Sequence, residues 1–238
     1  MKVLRATRGP FTERPHYPLE EIDRICMDEL RAAGYFPSVP EAIRIDRFVE
    51  KRFGITAEYE DLETGILGYT TFGPKGPIAV VISRALDEEG TSAANRRVRT
   101  TLAHEMGHIL LQGHLFSLPG ETGSLFPAGG DVSASRVLCR QEMAKARNSE
   151  AGYGYDGKWW EYQANLAIGA LLLPRPLVMT LLEPLLTAAG PFGTKTLDPK
   201  RRGEAEESAA ETFDVNRQVA HIRLGQIWPV GGDSQLRL

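Results

Sequence analysis

Residues 100–111, TTLAHEMGHILL, constrain the fold of this chain more than any other stretch. Val98, Leu102, Met106 and Ile109 recur at helical spacing, which predicts an amphipathic helix ending near Leu111. Residues four apart on a helix lie one turn above each other. His104 and His108 therefore face the same way and can bind one ion through imidazole nitrogen. Glu105 leans out beside that pair, where it can take a proton from a water on the ion. The apolar stripe is expected to pack on strands and to turn the polar trio toward a cleft. His and Glu on a solvated helix face are ordinary. Here apolar residues flank the motif on both sides, and the chain has only 5 histidines.

Two histidines leave a metal site incomplete, since a catalytic site usually has three protein ligands. His114 follows His108 at the spacing seen in HExxHxxGxxH sites. Leu111, however, stands where the glycine that lets the chain turn would be needed. Glu161 is the other candidate. It lies in WWEYQANLAIGALLLP (159–174), a helix apolar on most sides, where an unpaired carboxylate is costly to bury. Asn165, one turn further on, is placed to hydrogen-bond around the site. The burial argument favours Glu161, with His114 as the alternative and otherwise a loop residue near the cleft. An oxyanion donor is expected among Tyr153, Tyr155, Tyr162, His114 and Arg175.

The rest of the chain reads as α+β. Residues 1–16 look like a flexible N-terminal arm. Helices fit 18–34 (Leu19, Ile22, Cys26, Leu30) and 40–53, with Pro40 in the first turn and Gly54 as the stop. The period then drops to two, and strands at 55–60, 65–72 and 78–83 suggest a small three-stranded, mostly antiparallel sheet. Thr91 is placed to cap the motif helix. Residues 113–158 look like one long insertion loop. A helix is expected at 177–189, interrupted near Pro184, and two more at 204–213 and 216–225. The layout is a metal-binding domain over 17–190 and a C-terminal helical region over 191–238.

The net charge of −3 argues against a whole-protein nucleic-acid clamp. No apolar run reaches the roughly 18 residues of a membrane span, and the start lacks the pattern of a signal peptide. With two cysteines, Cys26 and Cys139, expected to be reduced, the setting is expected to be cytoplasmic.

RTTLAHEMGHILL followed by WWEYQANLAIGALLLP resembles the ImmA/IrrE family of zinc metallopeptidases. The matching positions are His104, Glu105 and His108, then Glu161, Ala164, Asn165 and 171–174 (LLLP). The 53-residue separation of His108 from Glu161 is longer than in shorter members. The resemblance covers about 18–180 and implies a zincin-like fold with one Zn²⁺ on His104, His108 and Glu161. It also implies peptide-bond hydrolysis with Glu105 as general base, directed at a small helix-turn-helix repressor in stress response. Mn²⁺ or Fe²⁺ suits similar ligands. Residues 209–224 are similar to a helix-turn-helix, more simply a helical hairpin packed on the domain. Nucleic-acid contact would come only from there. The competing reading is a catalytically weak regulatory module that binds DNA or protein.

Overall fold

Two short strands stand in place of the expected loose arm. β1 (Lys2–Arg5) and β2 (Glu13–His16) pair antiparallel, with Val3 opposite Pro15. The computed structural model describes residues 2–5, 13–117, 135–140, 159–189 and 194–229. Helix α1 (Leu19–Ala32) buries Ile22, Cys26 and Leu30 on one stripe. Gly34 then leaves the helix at φ 78°, a left-handed conformation that costs glycine little. Helix α2 (Ile45–Phe53) is shorter than expected and starts at Ile45 rather than Pro40. Ile43 is buried and its carbonyl accepts from Arg99 Nη2 (3.0 Å), a tertiary bond that holds the approach outside the helix.

The sheet has four strands in the order β3–β5–β4–β6: β3 (Glu58–Glu60), β4 (Ile66–Gly73), β5 (Gly76–Ser83) and β6 (Ser135–Arg140). This corrects the expected three-stranded sheet in two ways. β3 runs parallel to β5, so the sheet is mixed. β6 pairs antiparallel with β4 although it lies inside the segment expected to be one loop. The β4–β5 hairpin turns where expected, with Gly76 at φ 122°.

After helix α3 (Arg84–Glu88), helix α4 (Ser92–Phe116) begins at Thr91, whose side chain accepts from the Ala94 amide (3.1 Å). It continues to Phe116, well past Leu111. Val98, Leu102, Met106 and Ile109 are buried as predicted, but so is most of its other side. The sheet covers one flank. The other is covered by α5 (Trp159–Leu172), an almost uniformly apolar helix that itself has to be buried. Every second residue of β4 tracks α4. A Cβ on Gly68 would lie 2.9 Å from Thr101 Cγ2, and Thr70 bonds Glu105. A two-residue strand step of about 6.7 Å matches a four-residue helix step of about 6 Å.

Beyond α5 come α6 (Arg175–Leu181), a single 3₁₀ turn at Glu183–Leu185, and a hairpin of β7 (Leu186–Ala189) and β8 (Thr194–Leu197). The expected helix over 177–189 thus ends early, because Pro184 has no amide to continue it. Helices α7 (Arg202–Thr212) and α8 (Arg217–Ile227) follow. They complete the same core. Among the described residues no single helix is long and apolar enough to cross a membrane.

Arg223 of α8 fastens the C-terminal pair. It is fully buried and donates to Asp23 of α1 (2.7 Å) and to the Leu173 carbonyl (3.1 Å). Asp214, at φ 50°, bonds Arg96 Nε of α4 (2.8 Å). Arg223→Lys keeps the charge but loses the planar fork that reaches both acceptors. It is expected to destabilise the protein by about 2 kcal/mol in urea unfolding; an unchanged midpoint would contradict this anchoring.

Candidate metal centre

α4 and α5 bring three ligand groups to one point. His104 Nε2 and His108 Nε2 lie 3.0 Å apart, and Glu161 Oε2 lies 3.2 and 3.4 Å from them. All three residues are buried and could hold a metal ion. Ligands bound tetrahedrally at about 2.0–2.1 Å are themselves about 3.3 Å apart, so this triangle has the edge a tetrahedral ion needs. Among the described residues the buried Glu161 Oε2 has no hydrogen-bond partner. A buried carboxylate oxygen facing two imidazole nitrogens is a donor set that suits a divalent cation.

Close packing makes the triangle possible. Gly107, between the two histidines, packs against Ala164, one turn beyond Glu161 on α5. A Cβ on Gly107 would sit 2.8 Å from both Cα and the carbonyl oxygen of Ala164. The absent side chain lets α4 and α5 approach until Glu161 reaches the pair.

The outward ring nitrogens are also held. His104 Nδ1 is 3.1 Å from Asn165 Oδ1, and His108 Nδ1 is 3.3 Å from Gln112 Oε1. An amide oxygen only accepts, so in these contacts Nδ1 is the nitrogen that donates and Nε2 is the nitrogen that faces the triangle.

Glu105 stands beside the triangle and outside it. Thr70 Oγ1 donates to its Oε2 (2.6 Å), while Oε1 is buried and has no partner among the described residues. Burial pushes its carboxyl up to about 7, against the nearby His108 ring and the Thr70 bond, which lower it. Burial would also raise Glu161, but the two imidazoles hold it well below the usual carboxylate range. Burial would lower His108, yet Glu161 and its other partners raise it. The charges are arranged so that Glu161 is anionic while Glu105 is poised to gain or lose a proton near neutrality.

His104, Glu105 and His108 are buried, and α5 packs along the flank of α4 expected to be free. His114 is not brought to the triangle. α4 runs on through it, and six residues turn it well around the axis from His108, onto an exposed position. Tyr162 neighbours Glu161 in sequence but is 38% exposed, pointing outward from the helix. Arg175 lies beyond the far end of α5, about 20 Å along the axis from Glu161, which removes it as an oxyanion donor. Tyr153 and Tyr155 lie outside the described residues. Sequence reasoning missed Thr70, Gln112 and Gln163. The last two carried a signal: amides on otherwise apolar helix faces need buried partners.

No protein-family model matches this chain, and no curated protein matches it significantly.

Proposed function

We propose that this protein is a zinc-dependent endopeptidase of the ImmA/IrrE type. The observation that carries the proposal is the buried His104–His108–Glu161 triangle with Glu105 against it. Two imidazoles and one carboxylate at tetrahedral spacing suit Zn²⁺ better than the octahedral preference of Mn²⁺. When bound, the ion would acidify a water and polarise the scissile carbonyl. Glu105 supplies the base. Its Oε1 accepts the proton of the attacking water, and Thr70 holds the other oxygen so that Oε1 stays aimed. The same carboxyl then returns the proton to the leaving nitrogen. A carboxyl near 7 suits both halves of that cycle.

An extended peptide can join a sheet only at an edge strand, and β4 and β5 are interior, each paired on two sides. The edge next to β4 is β6, which makes it the strand for a substrate backbone to join. By resemblance, the substrate is a small helix-turn-helix repressor in the cytoplasm. The competing regulatory-module reading draws no support from α8, whose Arg223 is committed to the core.

The test is direct. The zinc-loaded protein should cut a repressor encoded beside its gene, and a chelator should stop it. An intact repressor after incubation with the zinc-loaded protein would count against the proposal. Glu161→Ala should lower zinc affinity more than tenfold while His114→Ala leaves it unchanged, as read by competition with a chromogenic chelator. The reverse order would move the third ligand to His114.

A further inference from the structure

We propose that Gln112 and Gln163 are positioning residues that, together with the Pro15 carbonyl, lock His108 in the orientation that presents Nε2 to a metal. The proposal rests on the metal-centre reading above and extends it to residues outside the ligand set.

Three hydrogen bonds form one chain. Gln163 Nε2 donates to the Pro15 carbonyl (2.8 Å). Gln112 Nε2 donates to Gln163 Oε1 (3.2 Å). Gln112 Oε1 then faces His108 Nδ1 (3.3 Å). Gln112 and Gln163 are buried, so no water is available to substitute for a lost bond. A side-chain amide can be turned either way round in principle. Here its direction is fixed from one end, because a backbone carbonyl can only accept. Pro15 therefore sets Gln163, Gln163 sets Gln112, and Gln112 leaves only an oxygen for His108. Nδ1 must carry the proton, and the Nε2 lone pair is the one free for an ion.

The chain crosses three elements, β2, α5 and α4, so the N-terminal hairpin is part of the site's support. It gives Pro15, 148 residues from Gln163 in sequence, a part in metal binding that no local motif announces.

The test ranks substitutions in an order that packing would reverse. Position 112 is fully buried, so a packing role favours Gln112→Leu over Gln112→Glu. The hydrogen-bond chain requires the opposite order for zinc affinity. Gln112→Leu leaves the His108 Nδ1 proton without an acceptor and should weaken Zn²⁺ binding by about 10- to 100-fold. Gln112→Glu still accepts from Nδ1 but gives up the donation to Gln163 Oε1, so it should bind Zn²⁺ more weakly than the unaltered protein and more tightly than Gln112→Leu. Gln163→Met removes the acceptor that orients Gln112 and should give a smaller loss. Affinities come from chelator competition with Zn²⁺ alone, on the full chain. In the zinc-loaded protein the His108 Nδ1 proton should be visible by NMR and protected from exchange, and that protection should be lost in Gln112→Leu. Wild-type zinc binding with unchanged affinity in Gln112→Leu or Gln163→Met would overturn the positioning role and leave the metal centre standing. Failure of the unaltered protein to bind zinc would sink both.

Discussion

Glu105→Gln is expected to abolish cleavage, leave metal binding intact and make the metal-free protein more stable. A base of this kind contributes about 10²- to 10⁴-fold, and an amide cannot take the proton. Zinc affinity should be nearly unchanged, because Glu105 is not one of the three converging ligands. Thr70 can still donate to the amide oxygen, so the local structure has no reason to rearrange. The stability gain follows from burial. The carboxyl is raised from 4.5 to about 7, so the folded state binds this proton more tightly than the unfolded state does. Its contribution is present in full below about pH 4.5 and is lost as pH rises through about 7. That difference corresponds to about 3 kcal/mol at pH 8. An amide at this position does not titrate, so the Glu105→Gln variant should exceed the unaltered protein by about that much in metal-free urea melts at pH 8. At pH 5 the advantage should shrink below about 1 kcal/mol. A bound divalent cation lowers the carboxyl, so the acid limb of activity should lie at or below about pH 7. Equal melts at pH 8 would show that Glu105 is not desolvated as described.

The ligand triangle was legible because its information is local. His104 and His108 are one helical turn apart, and any helix through them gives the same juxtaposition. Glu161 was legible for a different reason: a carboxylate on a helix apolar on most sides needs a partner, and the histidine pair lacked a third ligand. What stayed hidden depends on partners remote in sequence. Thr70 contacts Glu105 across 35 residues, and nothing on β4 marks it apart from its neighbours. β3 alternates like any half-buried strand, so its parallel pairing with β5 cannot be read from it. β6 is set in a segment rich in glycine and serine, which masks a six-residue strand. The enclosure of the trio was missed because α4 was judged by its own amphipathic pattern. That pattern describes one flank, and α5 supplies the other. The same approach that buries the trio also fixes what the glycine inside the motif does.

Gly107→Ala tests that last point, and its effect should be large for one methyl group. The added Cβ would lie 2.8 Å from Cα and the carbonyl oxygen of Ala164 and 3.0 Å from Ala167 Cβ. The first two are backbone atoms, so neither a rotamer change nor trimming Ala164 relieves the clash. The helices must move apart instead. Overpacking of this sort costs about 1–3 kcal/mol. The site suffers more than the fold, because separation by about 0.5 Å lengthens the 3.2 and 3.4 Å edges to Glu161 to about 3.7 and 3.9 Å, well past the roughly 3.3 Å edge of a tetrahedral site. Zinc affinity is expected to fall by about a hundredfold or more, with the two histidines left as a weaker pair. Gly113 provides the control on the same helix. A Cβ there meets only Phe72 Cε1 at 3.6 Å, an ordinary contact. Gly113→Ala should therefore gain about 0.5–1 kcal/mol from helix propensity and bind zinc as before. Two identical substitutions six residues apart should move stability in opposite directions, and only the one inside the motif should affect the metal. If Gly107→Ala melts and binds zinc like Gly113→Ala, then the close approach of α4 and α5 does not hold Glu161 in place.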